Sequence, residues 1–361
     1  MGSIKPKLER ENTPKSPLDV LDNLKNRYKD NPEILREIML HIDVSNDSKF
    51  FKSLQAFLCD REDAHIIDKI FNSTIEGISV EMDLYKRAEQ SIIKEVDRPV
   101  FLINNDQIDI SRITKWNNQI EQNVETISKA IRSVGRIEIK GDDVNFIGTG
   151  WLIKNTNIIV TNRHVADEFA ARKEGEFLFR QDWLGDTYSV RIDFKKEHSS
   201  NAEYEFSVKE IVYLAKQRDL DIALLRIDNE NFKGDGLPEG LELSHAIPNL
   251  QDEIYVIGFP ACNGIKNKTL RDKYFNGIIG KKQFAPGTFC KTGTSKYIYR
   301  HDCTTWGGNS GSPVIDFSSG KVLGIHYAGI NENYGGYRAN FSVSVLALVE
   351  ILEELNIRYD Y

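Results

Sequence analysis

This 361-residue chain has no uninterrupted apolar run long enough to cross a bilayer. Its opening stretch, Met1-Gly2-Ser3-Ile4-Lys5-Pro6-Lys7-Leu8-Glu9-Arg10, is polar and charged and lacks the apolar centre of a secretory leader. Gly2 stands where a myristoyl acceptor would, but position 6 is Pro rather than Ser or Thr, which argues against that signal. Cysteine is scarce. Cys59, Cys262, Cys290 and Cys303 are scattered singly, so neither a disulfide framework nor paired-cysteine metal ligation is expected. There is no HExxH pattern either. Positive charge is not in excess: 47 Lys and Arg face 54 Asp and Glu, a net charge of −7, which gives no case for nucleic-acid binding. The expectation is a cytoplasmic protein with reduced thiols, no metal, no cofactor and no membrane segment.

The chain is long enough for more than one domain, and its pattern changes near residue 96. Residues 1–16, rich in Lys, Glu, Pro and Ser, read as a flexible tail. Residues 17–96 carry helical spacing, with Leu18, Leu21 and Leu24, then Ile34 and Ile38, then Phe50, Phe51, Leu54, Phe57 and Leu58. They are read as a small helical bundle, either a structural support or a module that binds a protein partner. Residues 97–361 form the second domain. It opens with a strand over Arg98–Ile103 and an amphipathic helix over Ile113–Ile131, and Arg132–Ile139 begins a β structure. A helix over Val343–Leu355 closes the chain.

The stretch richest in chemical meaning is Gly307-Gly308-Asn309-Ser310-Gly311-Ser312-Pro313-Val314. It holds a serine in a glycine-flanked turn ahead of an apolar strand. Glycine permits positive φ and close approach of a substrate carbonyl, and leaves backbone N–H groups to converge on one point. A plain hairpin turn has the same composition, so the partners decide. Thr161-Asn162-Arg163-His164-Val165-Ala166-Asp167 follows the apolar run Asn157–Val160 and presents His164 at a strand end. Asp219-Leu220-Asp221 leads into Ile222-Ala223-Leu224-Leu225-Arg226-Ile227, another strand, with Asp221 at its mouth. His, Asp and Ser in that chain order suit one triad arrangement and not those of subtilisins or α/β-hydrolases.

Candidate catalytic residues are therefore His164, Asp221 and Ser310, with Gly308 and Ser310 N–H groups as an oxyanion hole. Asp219 is the alternative acid and Ser312 the alternative nucleophile. His41, His65, His198, His245 and His301 are assigned structural or surface roles.

Gly148-Thr149-Gly150-Trp151-Leu152-Ile153, the His164 segment, Asp221-Ile222-Ala223-Leu224 and Gly308-Asn309-Ser310-Gly311-Ser312-Pro313 together resemble the trypsin-like serine proteases, most of all the bacterial glutamyl-endopeptidase type. The resemblance covers roughly residues 97–361. It implies an α+β multidomain chain: a helical N-terminal bundle, vaguely similar to adaptor domains of bacterial proteases, then a chymotrypsin-like double six-stranded antiparallel β-barrel with a C-terminal helix. It further implies an endopeptidase acting on protein or peptide substrates, in a bacterial defence or stress setting. A signalling scaffold with a vestigial protease is the alternative.

By the same resemblance Thr305 and His326 would line the S1 pocket and bind an acidic P1 side chain, and Tyr327, Ala328 and Gly329 would pair with the substrate backbone. Thr304 stands where trypsin carries the anion that selects Lys or Arg. Asn309 replaces the Asp that pairs with a freshly cut N-terminus in pancreatic-type proteases, so control is sought in residues 17–96.

Overall fold

The computed structural model describes residues 98–360, apart from 113, 141–144, 174, 182–184, 217–218, 262–271, 273–274, 276, 293–295 and 331–338. The chain divides into two compact units, Met1–Thr74 and Ile75–Tyr361, and every described residue belongs to the second. The helical bundle expected over 17–96 lies outside the described residues.

The unit opens with β1 (Phe101–Asn104) and β2 (Gln107–Ile108), followed by α1 (Asn117–Gln122) and α2 (Val124–Ser133). The strand read over Arg98–Ile103 thus starts three residues later, and the single helix read over Ile113–Ile131 is two. The break falls at Asn123, where φ is −116° and the side-chain amide donates to the Gln119 carbonyl at 2.8 Å. That local bond competes with the helical ladder.

Six antiparallel strands then close a first barrel in the order β10-β5-β4-β3-β8-β9. They are β3 (Val134–Lys140), β4 (Asn145–Leu152), β5 (Ile158–Thr161), β8 (Ser189–Asp193), β9 (Glu205–Leu214) and β10 (Ala223–Ile227). Their β-branched and apolar residues suit a pleated, buried surface. Ile137, Leu152, Ile159, Ile192, Phe206 and Leu225 meet inside. A one-turn helix, α3 (Arg163–Ala166), follows β5, and a separate hairpin joins β6 (Ala170–Lys173) to β7 (Glu176–Phe179).

The second barrel is built from β11 (Glu253–Gly258), β12 (Gln283–Thr292), β13 (Ile298–His301), β14 (Pro313–Asp316), β15 (Val322–Ile330) and β16 (Ala339–Ser344). The order β11-β14-β15-β16-β13-β12 closes through a β11–β12 pairing, and β1 and β2 extend the sheet beyond β12. The second core gathers Ile254, Val256, Phe289, Tyr299, Cys303 and Val314. Closure of both rings pairs most of the strand edges that two separate sheets would leave open. The terminal helix is α4 (Val345–Glu354), capped by the Ser344 hydroxyl on the Leu346 N–H. Val343, read as helical, is the last-but-one residue of β16. Among the described residues no helix is long and apolar enough to cross a membrane.

Lys282, fully buried, fastens the barrels together. Its Nζ donates to the carbonyls of Ile131 at 2.7 Å and Phe194 at 2.6 Å, with Glu197 3.9 Å away. Burial draws its ammonium down to about 8, against the opposing pull of the Glu197 and Asp106 carboxylates.

Candidate active site

Each candidate side chain sits where a barrel strand ends. β5 delivers Asn162 and α3, and α3 carries His164. Asp221 lies just before β10, which pairs with β5 from Ala223↔Thr161 onward. That pairing brings the two side chains together. His164 Nδ1 lies 2.6 Å from Asp221 Oδ2, and the His164 backbone N–H donates to Asp221 Oδ1 at 3.0 Å. Asn162 Nδ2 holds the Asp221 carbonyl at 2.8 Å. Asp221 is fully buried. Burial alone would raise its pKa, but the charge and hydrogen bonds of His164, with Arg163 nearby, outweigh it and hold the carboxyl below its ordinary value. Asp219 is exposed and accepts from the Lys216 N–H at 3.2 Å, away from His164.

The serine turn is held by the first barrel. The Thr149 N–H donates to the Ser310 carbonyl at 2.9 Å, and the Thr149 hydroxyl donates to the Gly308 carbonyl at 2.8 Å. The same hydroxyl accepts from the Phe259 N–H at 3.2 Å, and the Thr149 carbonyl accepts from Thr161 Oγ1 at 2.7 Å. Thr149 lies within the Gly148–Ile153 motif, and no local pattern signals this task. Gly308 and Gly311 have φ of +87° and +90°, the left-handed region that glycine adopts without strain. A side chain on Gly311 would meet the Thr149 carbonyl at 2.0 Å.

Among the described residues, no acceptor takes the N–H of Gly308 or Ser310. Two donors, one residue apart, thus keep the free N–H groups that an oxyanion hole requires. Ser310 is half-buried, whereas Ser312 is fully buried, with its hydroxyl packed on Gly258. Asn309 turns its amide onto the Trp306 carbonyl at 3.0 Å and so binds its own loop.

The predicted pocket residues lie in the second barrel. Thr305 is buried and its hydroxyl has no partner among the described residues. Thr304 is also buried, and its hydroxyl donates to the Arg98 carbonyl at 2.8 Å. His326, in β15, is buried, and its Nδ1 lies 3.2 Å from Nε2 of His301. Burial pulls His301 down to about 4 and His326 well below its ordinary value, so both rings are neutral near pH 7. His326 would therefore face an acidic P1 side chain as a neutral imidazole rather than as a cation.

His301 was read as structural. No local signal pointed to its contact, which forms because β13 and β15 flank β16 with His301↔Asn340 and His326↔Ser342 in register.

β14 pairs with β15 only as far as Ile325. Beyond it, Ala328 and Gly329 keep β16 on one side, and Tyr327 forms a bulge between His326 and Ala328. On the other side no described strand covers them.

A sequence profile of the trypsin-like peptidase domain matches residues 148–325, a span holding His164, Asp221 and Ser310. The chain is a serine endopeptidase with a trypsin-like peptidase domain. A probable serine protease of Lysobacter enzymogenes is 28% identical to this protease over 302 residues, covering 73% of this chain and 74% of that one. A serine protease DegP homolog of Plasmodium falciparum is 30% identical over 181 residues, covering 49% of this chain but 16% of its own length. A serine endoprotease from Yersinia pestis, known from a crystal structure, aligns with a TM-score of 0.44 at 18% identity, over 69% of this protease and 68% of that chain.

Proposed function

We propose that this endopeptidase cleaves protein substrates with Ser310 as nucleophile, His164 as general base and then acid, and Asp221 as the group that fixes the imidazole. The observation that carries this reading is the 2.6 Å approach of His164 Nδ1 to a wholly buried Asp221 carboxylate. Donation from Nδ1–H leaves the Nε2 lone pair for the serine proton. As Oγ of Ser310 bonds to the substrate carbonyl carbon, its proton passes to Nε2. The oxyanion is received by the N–H groups of Gly308 and Ser310, each worth on the order of 3 kcal/mol. His164 then gives its proton to the leaving amine, and water repeats the sequence to release the acyl group.

A fluorophosphonate probe tests the reading. Labelling of the full chain is expected and should vanish in Ser310→Ala. A chain never labelled under any activating condition would favour the alternative of a scaffold with a vestigial protease.

The proposed preference is for an acidic P1 residue, Glu before Asp. The hydroxyl of Thr305 and the imidazole of His326 support it, as donors in a pocket whose wall carries Thr304 in place of an anion. With both histidines neutral, the attraction is hydrogen bonding rather than charge. If His301 Nε2 donates to His326 Nδ1, the unpartnered His301 Nδ1 is a lone pair, and His326 Nε2 keeps its proton to offer the substrate. The other tautomer would bury an unpaired N–H, the rarer arrangement. The open edge at Tyr327–Gly329 would take the substrate backbone as an added strand. A peptide library dominated by Lys, Arg or bulky apolar P1 residues would sink the acidic preference.

The wider setting is proposed on sequence grounds: a cytoplasmic enzyme of a bacterial defence or stress pathway, restrained or recruited by a protein partner through residues 17–96. Comparing the full chain with one lacking residues 1–96 separates the two modes. A rise in turnover indicates restraint, and unchanged turnover indicates recruitment.

A further inference from the structure

The segment leading into β1 is tied to the pocket wall by a buried ion pair that the peptide chemistry does not use. Arg98 Nε donates to Asp302 Oδ1 at 2.6 Å and Nη2 to Oδ2 at 2.7 Å, a bidentate fork. Both residues are buried. Thr288 completes the arrangement: its N–H donates to Asp302 Oδ1 at 2.7 Å, and its hydroxyl lies 3.1 Å from both Asp302 Oδ2 and Arg98 Nη2. Gly287 makes room, since a Cβ there would stand 2.8 Å from Asp302 Oδ1. The Arg98 carbonyl takes the Thr304 hydroxyl at 2.8 Å. Val100 packs against Phe275 and Trp306. From the opposite side, Asn340 Nδ2 donates to the Cys303 carbonyl at 2.5 Å.

Asp302-Cys303-Thr304 is thus gripped from two directions. The residue before it is His301, which touches His326, and the residue after it is Thr305. A buried ion pair adds little net stability over apolar residues of the same volume. Its geometry, in contrast, fixes the backbone that carries it. We propose that Arg98 is a positioning residue for the S1 pocket, setting the path of Asp302–Thr305 and so the aim of Thr305 and of the His301–His326 pair at the P1 side chain. The inference rests on the reading of that pocket given above. It gives the fold an internal cation beside its specificity wall, carried in by the strap that precedes β1, while Asn309 binds only its own loop.

The decisive variant is Arg98→Met combined with Asp302→Asn, which removes both charges and leaves neither stranded. It is expected to stay folded, with kcat/KM on the best library peptide down about 100-fold, as a displaced pocket wall would give. Most of the loss should fall in KM. Labelling of Ser310 by a small fluorophosphonate, which need not fill S1, should fall far less. Amide exchange at Cys303–Trp306 should quicken. Arg98→Lys, which keeps the charge but not the fork, should show an intermediate loss.

A double variant that cleaves like the wild type, or that loses labelling and peptide cleavage equally, overturns the proposal, and so does unchanged exchange at the wall. Failure of the serine-site reading appears differently, as labelling that survives Ser310→Ala. The exchange measurement then still tests Arg98.

Discussion

Asp221 shares its surroundings with a second carboxylate, and Arg163 stands between them. Arg163 Nη1 pairs with Asp167 Oδ2 at 2.8 Å, and its Nε lies 4.0 Å from Asp221 Oδ1. Burial raises Asp167, the Asp221 charge adds to that, and the guanidinium of Arg163, with Arg180 and His164, opposes it. A cation placed here weakens the hold of Asp221 on a protonated His164. Replacing it in Arg163→Met is therefore expected to move the acid limb of the kcat/KM profile to higher pH. Asp167→Asn, which leaves the guanidinium to Asp221 alone, should move it lower. Profiles recorded across the acid limb decide. Limbs that coincide in the three proteins would remove Arg163 from the proposed machinery.

At the scale of elements, the serine turn and β4 work as one piece. Gly311→Ala would place a Cβ 2.0 Å from the Thr149 carbonyl and 2.5 Å from the Thr161 hydroxyl, at a φ of +90°. The expected cost is about 1–3 kcal/mol from backbone strain, with the clash added to it, read as a fall in Tm together with loss of turnover. A variant as stable and active as the wild type would show that the turn can be held another way. Thr149→Val removes the hydroxyl that holds the Gly308 carbonyl and accepts from the Phe259 N–H, so it should lower both kcat and Tm.

These elements also show what the sequence makes legible. β5, β10 and β14 could be read because each is a short apolar run beside a turn, and His164, Asp221 and Ser310 lie at their ends. The tasks of Thr149 and His301 could not be read, because each is set by contacts with residues distant in sequence. Thr149 meets a loop 159 residues away, and His301 meets His326 across an intervening strand. No local periodicity records such a register. The boundary of α4 shifted for a more local reason: Ser344 caps the helix, which leaves Val343 to β16.

For the molecule as a whole, buried histidine makes acid a threat. The pKa of His301 falls from an ordinary 6.5 to about 4 on burial. Below 6.5 the unfolded chain therefore takes up a proton that the folded one refuses. Stability present above pH 6.5 is lost as pH falls toward 4, on the order of 3 kcal/mol from this residue. His326, lowered in the same direction, adds to the loss. Denaturant unfolding at pH 7 and pH 4.5 should show a steep decline for the wild type and a shallower one for His301→Gln. Equal declines would mean that His301 takes up its proton in the folded state as readily as in the unfolded chain.

Lys282 bears on how the molecule comes together. Its two carbonyl partners belong to the end of α2 and the strand end at Phe194, while Lys282 itself belongs to the second barrel. Lys282 lies where the two barrels meet, so a second barrel folded ahead of its neighbour would leave the ammonium in water and forgo both carbonyl contacts. The two barrels are expected to form and melt in a single cooperative step. Calorimetric and van't Hoff enthalpies of this unit should agree. In Lys282→Met, which lacks both contacts, an intermediate with one barrel folded is expected to become accessible.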